Sequence, residues 1–384
     1  MFHLRWYVSG LLCGLSFTLG VLHTWGAIAT QYTIIDLGTA SVITIAKDDT
    51  TTVGTNPQNI ATQLYPTARD LGMLPGGNFS RANAAQGQRI AGYSSTGNLG
   101  LQTHAFLYQN GIMRDLGTLD SDQHFSAAQA VTAEDVGGYC DTPDRTHIVP
   151  CLWIGGARAI DLPTLGGKDG YIDALNDRGD ALGNSLTVAG DTHCTYWPAA
   201  GGVLDCHPGE QWDISYGVDL TNPGVYVGYA YPASGNSSGS RGFLGWAWGQ
   251  ALLPPLPGDT HSLTYAVNAY TDSVGQSCRY PDRFGICRAV AWIIDTPVEL
   301  LPRVTNAQGW RLLTALGISD DGLIVGWGEL NGVGKSFLLV PEETAVVAWY
   351  KWQASIARYY QARYDRWRKA IDWYYRDLGH QVRR

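Results

Sequence analysis

The chain has 384 residues, a formal net charge of −8, 47 glycines, 11% aromatic residues and only 16% Asp, Glu, Lys and Arg. So many rings with so few charges exclude a disordered chain, which is charge-rich and aromatic-poor. They also exclude a helix bundle or coiled coil, which draws on Ala, Glu, Lys and Leu. Glycine for tight turns and aromatics for pleated surfaces predict short β-strands. Charge is unevenly spread: residues 30–343 net −15 and residues 344–384 net +6. An acidic body argues against phosphate-backbone binding, which needs a basic face, so no nucleic-acid partner is expected.

Residues 1–29 read as a secretory signal. Arg5 lies in a short n-region, an apolar run extends from Trp6 to about Leu22, and Ala27-Ile28-Ala29 places small residues at −3 and −1 of a cut. Export to the periplasm, the cell surface or the medium follows as an expectation.

From residue 32 onward one pattern repeats. A hydrophobic residue followed by glycine recurs at Val53-Gly54, Ala91-Gly92, Val136-Gly137, Leu182-Gly183, Val227-Gly228, Val274-Gly275 and Val325-Gly326. The intervals are 38, 45, 46, 45, 47 and 51 residues. Nine positions earlier lies a turn signature, clearest as Ala174-Leu175-Asn176-Asp177. An aromatic strand follows each Val-Gly, as in Cys151-Leu152-Trp153 and Ala289-Val290-Ala291-Trp292. Next comes an Asp-Leu-Gly strand, as in Asp36-Leu37-Gly38 and Asp70-Leu71-Gly72. Four strands in about 45 residues is the period of a propeller blade, in which packing around an axis buries faces that one small sheet exposes. The fold class expected is all-β, a seven-bladed β-propeller over residues 30–340; the short first unit leaves six or eight as neighbouring counts. Tyr32–Leu37 resembles the second strand of a unit and Ser336–Val340 the first, so the two ends are expected to share one blade.

Once the signal is removed, six cysteines remain as three close pairs: Cys140 and Cys151, Cys194 and Cys206, Cys278 and Cys287. No Cys-x-x-Cys or His-x-x-x-His accompanies them, and in an exported chain disulfides are the natural reading. The first and third pairs are expected to staple the connection between neighbouring blades, and the second a hairpin. Each of those inter-blade loops carries Pro-Asp-Arg, so Asp144, Arg145, Asp282 and Arg283 are candidate ligand contacts, with turn chemistry as the structural reading.

His104-Ala105-Phe106, followed by Leu107-Tyr108-Gln109-Asn110-Gly111-Ile112-Met113-Arg114-Asp115-Leu116-Gly117-Thr118-Leu119, resembles the bacterial extracellular HAF repeat. That resemblance implies an exported β-repeat protein and supplies no catalytic residues. His104, His124, His147, His193, His207 and His261 are dispersed, without metal-ligand spacing. The Asp of Asp-Leu-Gly recurs with the unit, which points to turn capping rather than catalysis. No serine-hydrolase elbow or phosphate loop occurs, no cofactor is expected, and calcium would need a denser acidic ladder. Tyr216, Tyr280 and Trp310 are candidates for stacking on sugar rings.

The last segment, 341–384, opens with Pro341-Glu342-Glu343, which suits a first helical turn. Trp349, Trp352, Ile356, Tyr360, Trp367, Ile371 and Tyr374 recur at mostly helical spacing among basic residues. A long amphipathic helix is expected, folding back on the body or meeting a membrane surface or a protein partner. The function expected is an exported, non-enzymatic binding propeller with a glycan or protein ligand. The alternatives are a carbohydrate-active enzyme, hydrolase or lyase, with its site at the channel mouth, and a structural envelope component.

Overall fold

In a computed structural model the described residues are 31–342, without 49, 98–101, 120–124, 233–238, 247–248, 280–285 and 294. Their strands form seven four-stranded antiparallel sheets. Each sheet is one blade: 41–72, 80–117, 126–161, 166–205, 212–253, 261–299, and a seventh made of 310–341 plus the first strand, Tyr32–Asp36. The first strands of successive blades contact one another in an unbroken circle, blade 7 to blade 1 included, and so surround a central channel. The count of seven is thus settled. Ala61–Tyr65, a poor aromatic strand by sequence, takes its place as the third strand of blade 1.

The ring closes as the sequence predicts. Tyr32–Asp36 pairs antiparallel with Val333–Pro341, from Tyr32 opposite Pro341 to Asp36 opposite Phe337. Asn306 fixes this strand further: its Oδ1 accepts from Ile34 N–H at 2.8 Å and its Nδ2 donates to Ile34 O at 3.1 Å.

Among the described residues no blade has a core of its own: seven hydrophobic clusters are found, and each spans two adjacent blades. The apolar residue before the repeat glycine is fully buried, as at Val53, Leu182, Val227, Val274 and Val325. The third strands contribute Phe106, Trp153, Phe243, Trp292 and Phe337, all fully buried. Burying such side chains yields about 1.5–3 kcal/mol each, which explains why the aromatics recur with the blade. Serines bridge blade to blade: Ser80 Oγ accepts from Ala61 N–H and donates to Gly72 O, and Ser126 Oγ does the same with Ala105 and Gly117.

The repeat glycine has a specific cause. Every inner strand carries a β-bulge at the same place, where the ladder register skips Ile43, Asn83, Gln129, Asp173, Val218, Tyr265 and Leu316. The bulge presses the inner-strand backbone onto the glycine opposite. A Cβ built at Gly54, Gly92, Gly138, Gly183, Gly228, Gly275 or Gly326 falls far inside 3.0 Å of an inner-strand carbonyl oxygen. In blade 3 this glycine is Gly138, opposite Ala128, rather than Gly137. The Asp-Leu-Gly glycines answer to a different demand: Gly38, Gly72 and Gly117 have φ of +86°, +86° and +67°, values that side chains seldom adopt.

Two expectations are corrected. Among the described residues there is no α-helix, only a 3-10 turn at Leu301–Arg303. Pro341 ends a strand instead of starting a helix, and Glu342 N–H donates to Gln31 O at 2.8 Å. Proline fits the last position of a strand as well as the first of a helix, so the Pro-Glu-Glu signal was ambiguous. Residues 343–384, with Trp349, Trp352, Ile356, Tyr360, Trp367, Ile371 and Tyr374, lie outside the described residues, as do residues 1–30. Second, the Val-Gly strand and the aromatic strand after it belong to one sheet. The blade boundary falls after the Asp-Leu strand, so Cys140–Cys151 and Cys278–Cys287 staple hairpins within blades and not connections between them. Sequence period fixes the length of a repeat but not the point at which a blade begins.

Candidate functional site

The two ends of the channel differ. At the end where first and second strands join, short turns are linked by side chains around the ring. Asn176 Oδ1 accepts from Arg178 N–H and Asp180 N–H, and Asn268 Oδ1 likewise from Tyr270 and Asp272, which is the work of the Asn-Asp signature. Asp177 accepts from Ala133 N–H and Gln86 Nε2, joining blade 4 to blades 3 and 2. Asp320 accepts from Ala269 N–H at 2.8 Å, joining blade 7 to blade 6. Lys47 of blade 1 reaches the Asp219 carboxylate of blade 5 and the Val267 carbonyl of blade 6. Blades 5 and 6 lie three and two places from blade 1, so this side chain crosses the channel and obstructs that end.

The opposite half of the channel is aromatic. The residue after the repeat glycine is Tyr93, Tyr139 and Tyr229 in blades 2, 3 and 5, and Asn184 in blade 4. The inner strands add Tyr171, Tyr216 and the bulged Tyr265. Ring centroids are 6.1 Å apart for Tyr139–Tyr171, 5.3 Å for Tyr216–Tyr229 and 6.0 Å for Tyr229–Tyr265. These rings are partly exposed, unlike the blade-core aromatics.

Asp173, the bulged residue of blade 4, stands in this aromatic half. Asn184 Nδ2 donates to its Oδ2 at 2.6 Å, while Asn184 Oδ1 accepts from Gly217 N–H of blade 5. Desolvation raises the carboxyl to about 8, the Asn184 hydrogen bond opposing it. Burial likewise raises the phenols of Tyr139, Tyr171 and Tyr229, and the charge of Asp173 adds to each. A carboxyl whose partner among the described residues is one neutral amide, with tyrosines around it, is a strongly perturbed group in a concavity, the usual mark of a binding or catalytic position.

The sequence candidates fall elsewhere for the most part. The three predicted disulfides are present, with Cα–Cα distances of 5.6, 5.0 and 4.1 Å. Asp144 and Arg145 occupy a hairpin loop of blade 3. Asp144 Oδ1 accepts from Thr142 Oγ1 at 2.6 Å and from Thr146 N–H, which hold its carboxyl down to about 2. Asp144 therefore serves its own turn. Arg145 has φ +58°. Asp282, Arg283, Tyr280 and His124 lie outside the described residues. Trp310 is 8% exposed and belongs to the core between blades 6 and 7. Of the two described stacking candidates, Tyr216 joins the channel cluster and Trp310 does not.

Of the Asp-Leu aspartates, Asp70 accepts from Asn56 Nδ2 and Thr62 Oγ1, while three cap their turns: Asp36, Asp115 and Asp205 accept from the N–H two residues on, at 2.7, 2.7 and 2.9 Å. Their other oxygens meet a basic residue of the third strand, Lys335, His104 or His193. Two clefts of about 480 Å³ lie beside His104–Asp115 and His193–Asp205. In the second, His207 stacks on His193 with centroids 3.9 Å apart, and its Nε2 donates to Trp212 O at 3.1 Å. Burial, then the neighbouring His193, lowers the His207 imidazole. Among the described residues no group of three or more His, Cys, Asp or Glu is arranged to hold a metal ion.

Fold and site together define a seven-bladed propeller with three disulfide-stapled hairpins and a one-sided aromatic channel. No protein family matches the chain, and no curated protein matches it. Solved structures that it is similar to include an arginine-to-alanine mutant of AofleA from Arthrobotrys oligospora, at 13% identity and a TM-score of 0.39, covering 70% of this chain and 88% of that one. The six-bladed, fucose-recognising Aleuria aurantia lectin matches at 12% identity and 0.34, over 68% and 93%. Trypanosoma rangeli sialidase matches at 9% identity and 0.37, over 86% of this chain and 62% of that one. Among the described residues no helix is long and apolar enough to cross a membrane.

Proposed function

We propose that this chain is an exported, disulfide-stabilised propeller that binds a glycan at the tyrosine-lined end of its channel. The observation that carries the reading is the cluster of partly exposed tyrosines around Asp173, set on rigid strands rather than loops. Tyrosine offers an apolar face for a sugar ring and a hydroxyl for its polar edge. The Lys47 bar at the other end favours entry from the tyrosine side alone. Three disulfides support an oxidising compartment, in line with the extracellular HAF resemblance. The test is a glycan array with the mature protein beside its Tyr216→Ala and Tyr229→Ala variants. Binding lost in both variants, with folding intact by circular dichroism, supports the reading. Unchanged binding in both refutes this location.

One observation favours a second reading, a carbohydrate-active enzyme. A carboxyl raised to about 8 is protonated at neutral pH, as a general acid must be. Turnover of any array-positive polysaccharide that vanishes in Asp173→Asn, with binding kept, would establish it over the binding role.

A further inference from the structure

The channel's charge is as distinctive as its rings. At the obstructed end Asp219 is answered by Lys47 and by Val267 N–H at 2.8 Å. Among the described residues Asp173 has no such cation: its hydrogen-bond partner is the Asn184 amide. Around it stand Tyr171 of its own strand, Tyr139 of blade 3, and Tyr229 with its ring partner Tyr216 of blade 5. Ring faces and phenolic oxygens alike present negative potential to the space between them. Arg81 acts on Tyr139 but is the exposed second residue of a blade 2 strand. A set of tyrosines with one carboxylate is the chemistry that holds an ammonium ion, by cation–π attraction and charge together. The same charge disfavours an acidic sugar.

We infer that the group recognised here is an ammonium cation, carried on a de-N-acetylated amino sugar. The sugar half of that inference rests on the glycan reading above; the ammonium half stands on Asp173 and the tyrosines. A cation bound beside Asp173 favours its ionised form, so binding displaces the carboxyl proton to solvent. Affinity for a cation of fixed charge is then expected to rise with pH up to about 8, where the free carboxyl is ionised on its own.

The experiment uses calorimetry on the mature full-length chain with three probes: chitosan oligomers, their fully N-acetylated counterparts, and tetramethylammonium. The expected result is at least a tenfold preference for the free amine over the acetylated oligomer. Asp173→Asn, which keeps the side chain's shape, should abolish that preference; Tyr216→Phe should keep it and Tyr216→Ala lose it. Equal or tighter binding of the acetylated oligomer overturns the ammonium inference and leaves the glycan reading standing. Tetramethylammonium binding that depends on Asp173, with no oligomer bound, upholds the ammonium site and overturns its presentation on an amino sugar. No binding of any probe overturns the ammonium inference, and the glycan array alone then decides the glycan reading.

Discussion

Replacing Gly92 by Ala tests the cause assigned to the repeat. A methyl group there meets the carbonyl carbon and oxygen of Arg81 and the Cα of Ala82, all backbone atoms of the bulged inner strand. No rotamer change relieves that clash, so the bulge must move away. Overpacking a well-filled site costs about 1–3 kcal/mol. Displacing the bulge also strains the flanking pairs, Ala82 with Gly92 and Ala84 with Ala91, at about 1 kcal/mol for each ladder bond weakened. Against this, alanine in a strand gains about 0.5–1 kcal/mol over glycine. The net expectation is a loss of about 2–4 kcal/mol, a large share of the 5–15 kcal/mol that holds a typical protein. The control is Gly249→Ala, where the nearest atom to an added Cβ lies 3.8 Å away; it should stay within about 0.5 kcal/mol of the parent. Urea unfolding midpoints under oxidising conditions report both. A Gly92→Ala protein within 1 kcal/mol of the parent would show that the glycine repeat serves something other than the bulge.

Three further outcomes are expected. Reducing the disulfides, whose partners are 11, 12 and 9 positions apart, should remove about 2–3 kcal/mol each, read as a fall in melting temperature with added reductant. Deleting residues 1–36 removes the outer strand of blade 7, together with its Asn306 bonds; the expected product is an unfolded or aggregated chain, and a monomeric protein of unchanged melting temperature would contradict closure by shared ends. Asp173 binds its proton more tightly folded, at about 8, than unfolded, so the native state holds more protons between about pH 4 and 8 and stability falls as pH rises through that window. Asp173→Asn should therefore be more stabilising at pH 8 than at pH 5. Denaturant midpoints at the two pH values check it, and a difference of the opposite sign would reject the raised carboxyl.

Much of the frame was legible because it repeats. Seven Val-Gly signatures marked seven second strands, and complementary end strands marked the closure. The cysteine pairs were legible because their partners lie only 11, 12 and 9 positions apart, but that spacing did not show that the first and third pairs lie within a blade. What repetition cannot mark is phase. A four-strand period does not say where a blade begins, and the Gly137-Gly138 run satisfies the pattern in either register. The channel was barely legible. Its residues follow the repeat glycine or sit in the bulge, yet they differ from blade to blade, so no periodic signal announces them. A tyrosine after the glycine in blades 2, 3 and 5 was visible, but nothing linear places Tyr229 beside Tyr265, 36 residues on. Lys47 and Asp219, 172 positions apart, carried no local signal at all.

That contrast bears on how the molecule divides its residues between stability and binding. The frame glycine and the buried residue before it recur in every blade, and the third-strand aromatic and the Asp-Leu turn in most of them. The bulged positions differ, passing from Ile43 through Asn83, Gln129, Asp173, Val218 and Tyr265 to Leu316. A bulge is the one place in a ladder where a residue is left unpaired and its side chain can be re-aimed without breaking the register on either side. Of the seven such positions in the ring around the axis, some belong to the frame, as Leu316 packed on the core between blades 7 and 1 and Asn83 bonded to Ala128 O of blade 3, whereas Asp173 and Tyr265 join the tyrosine cluster. Blades 7 and 1 present Leu316 and Ile43, and blades 2 to 4 present Asn83, Gln129 and Asp173, so the ring is polar on one side and apolar on the other. A ligand in this channel meets an asymmetric surface although the scaffold around it is nearly sevenfold. Asp173→Val, which copies the Val218 of blade 5, should accordingly leave stability at pH 5 within about 1 kcal/mol of the parent and abolish binding of the free-amine oligomer. Loss of the fold on that substitution would show that Asp173 belongs to the frame after all.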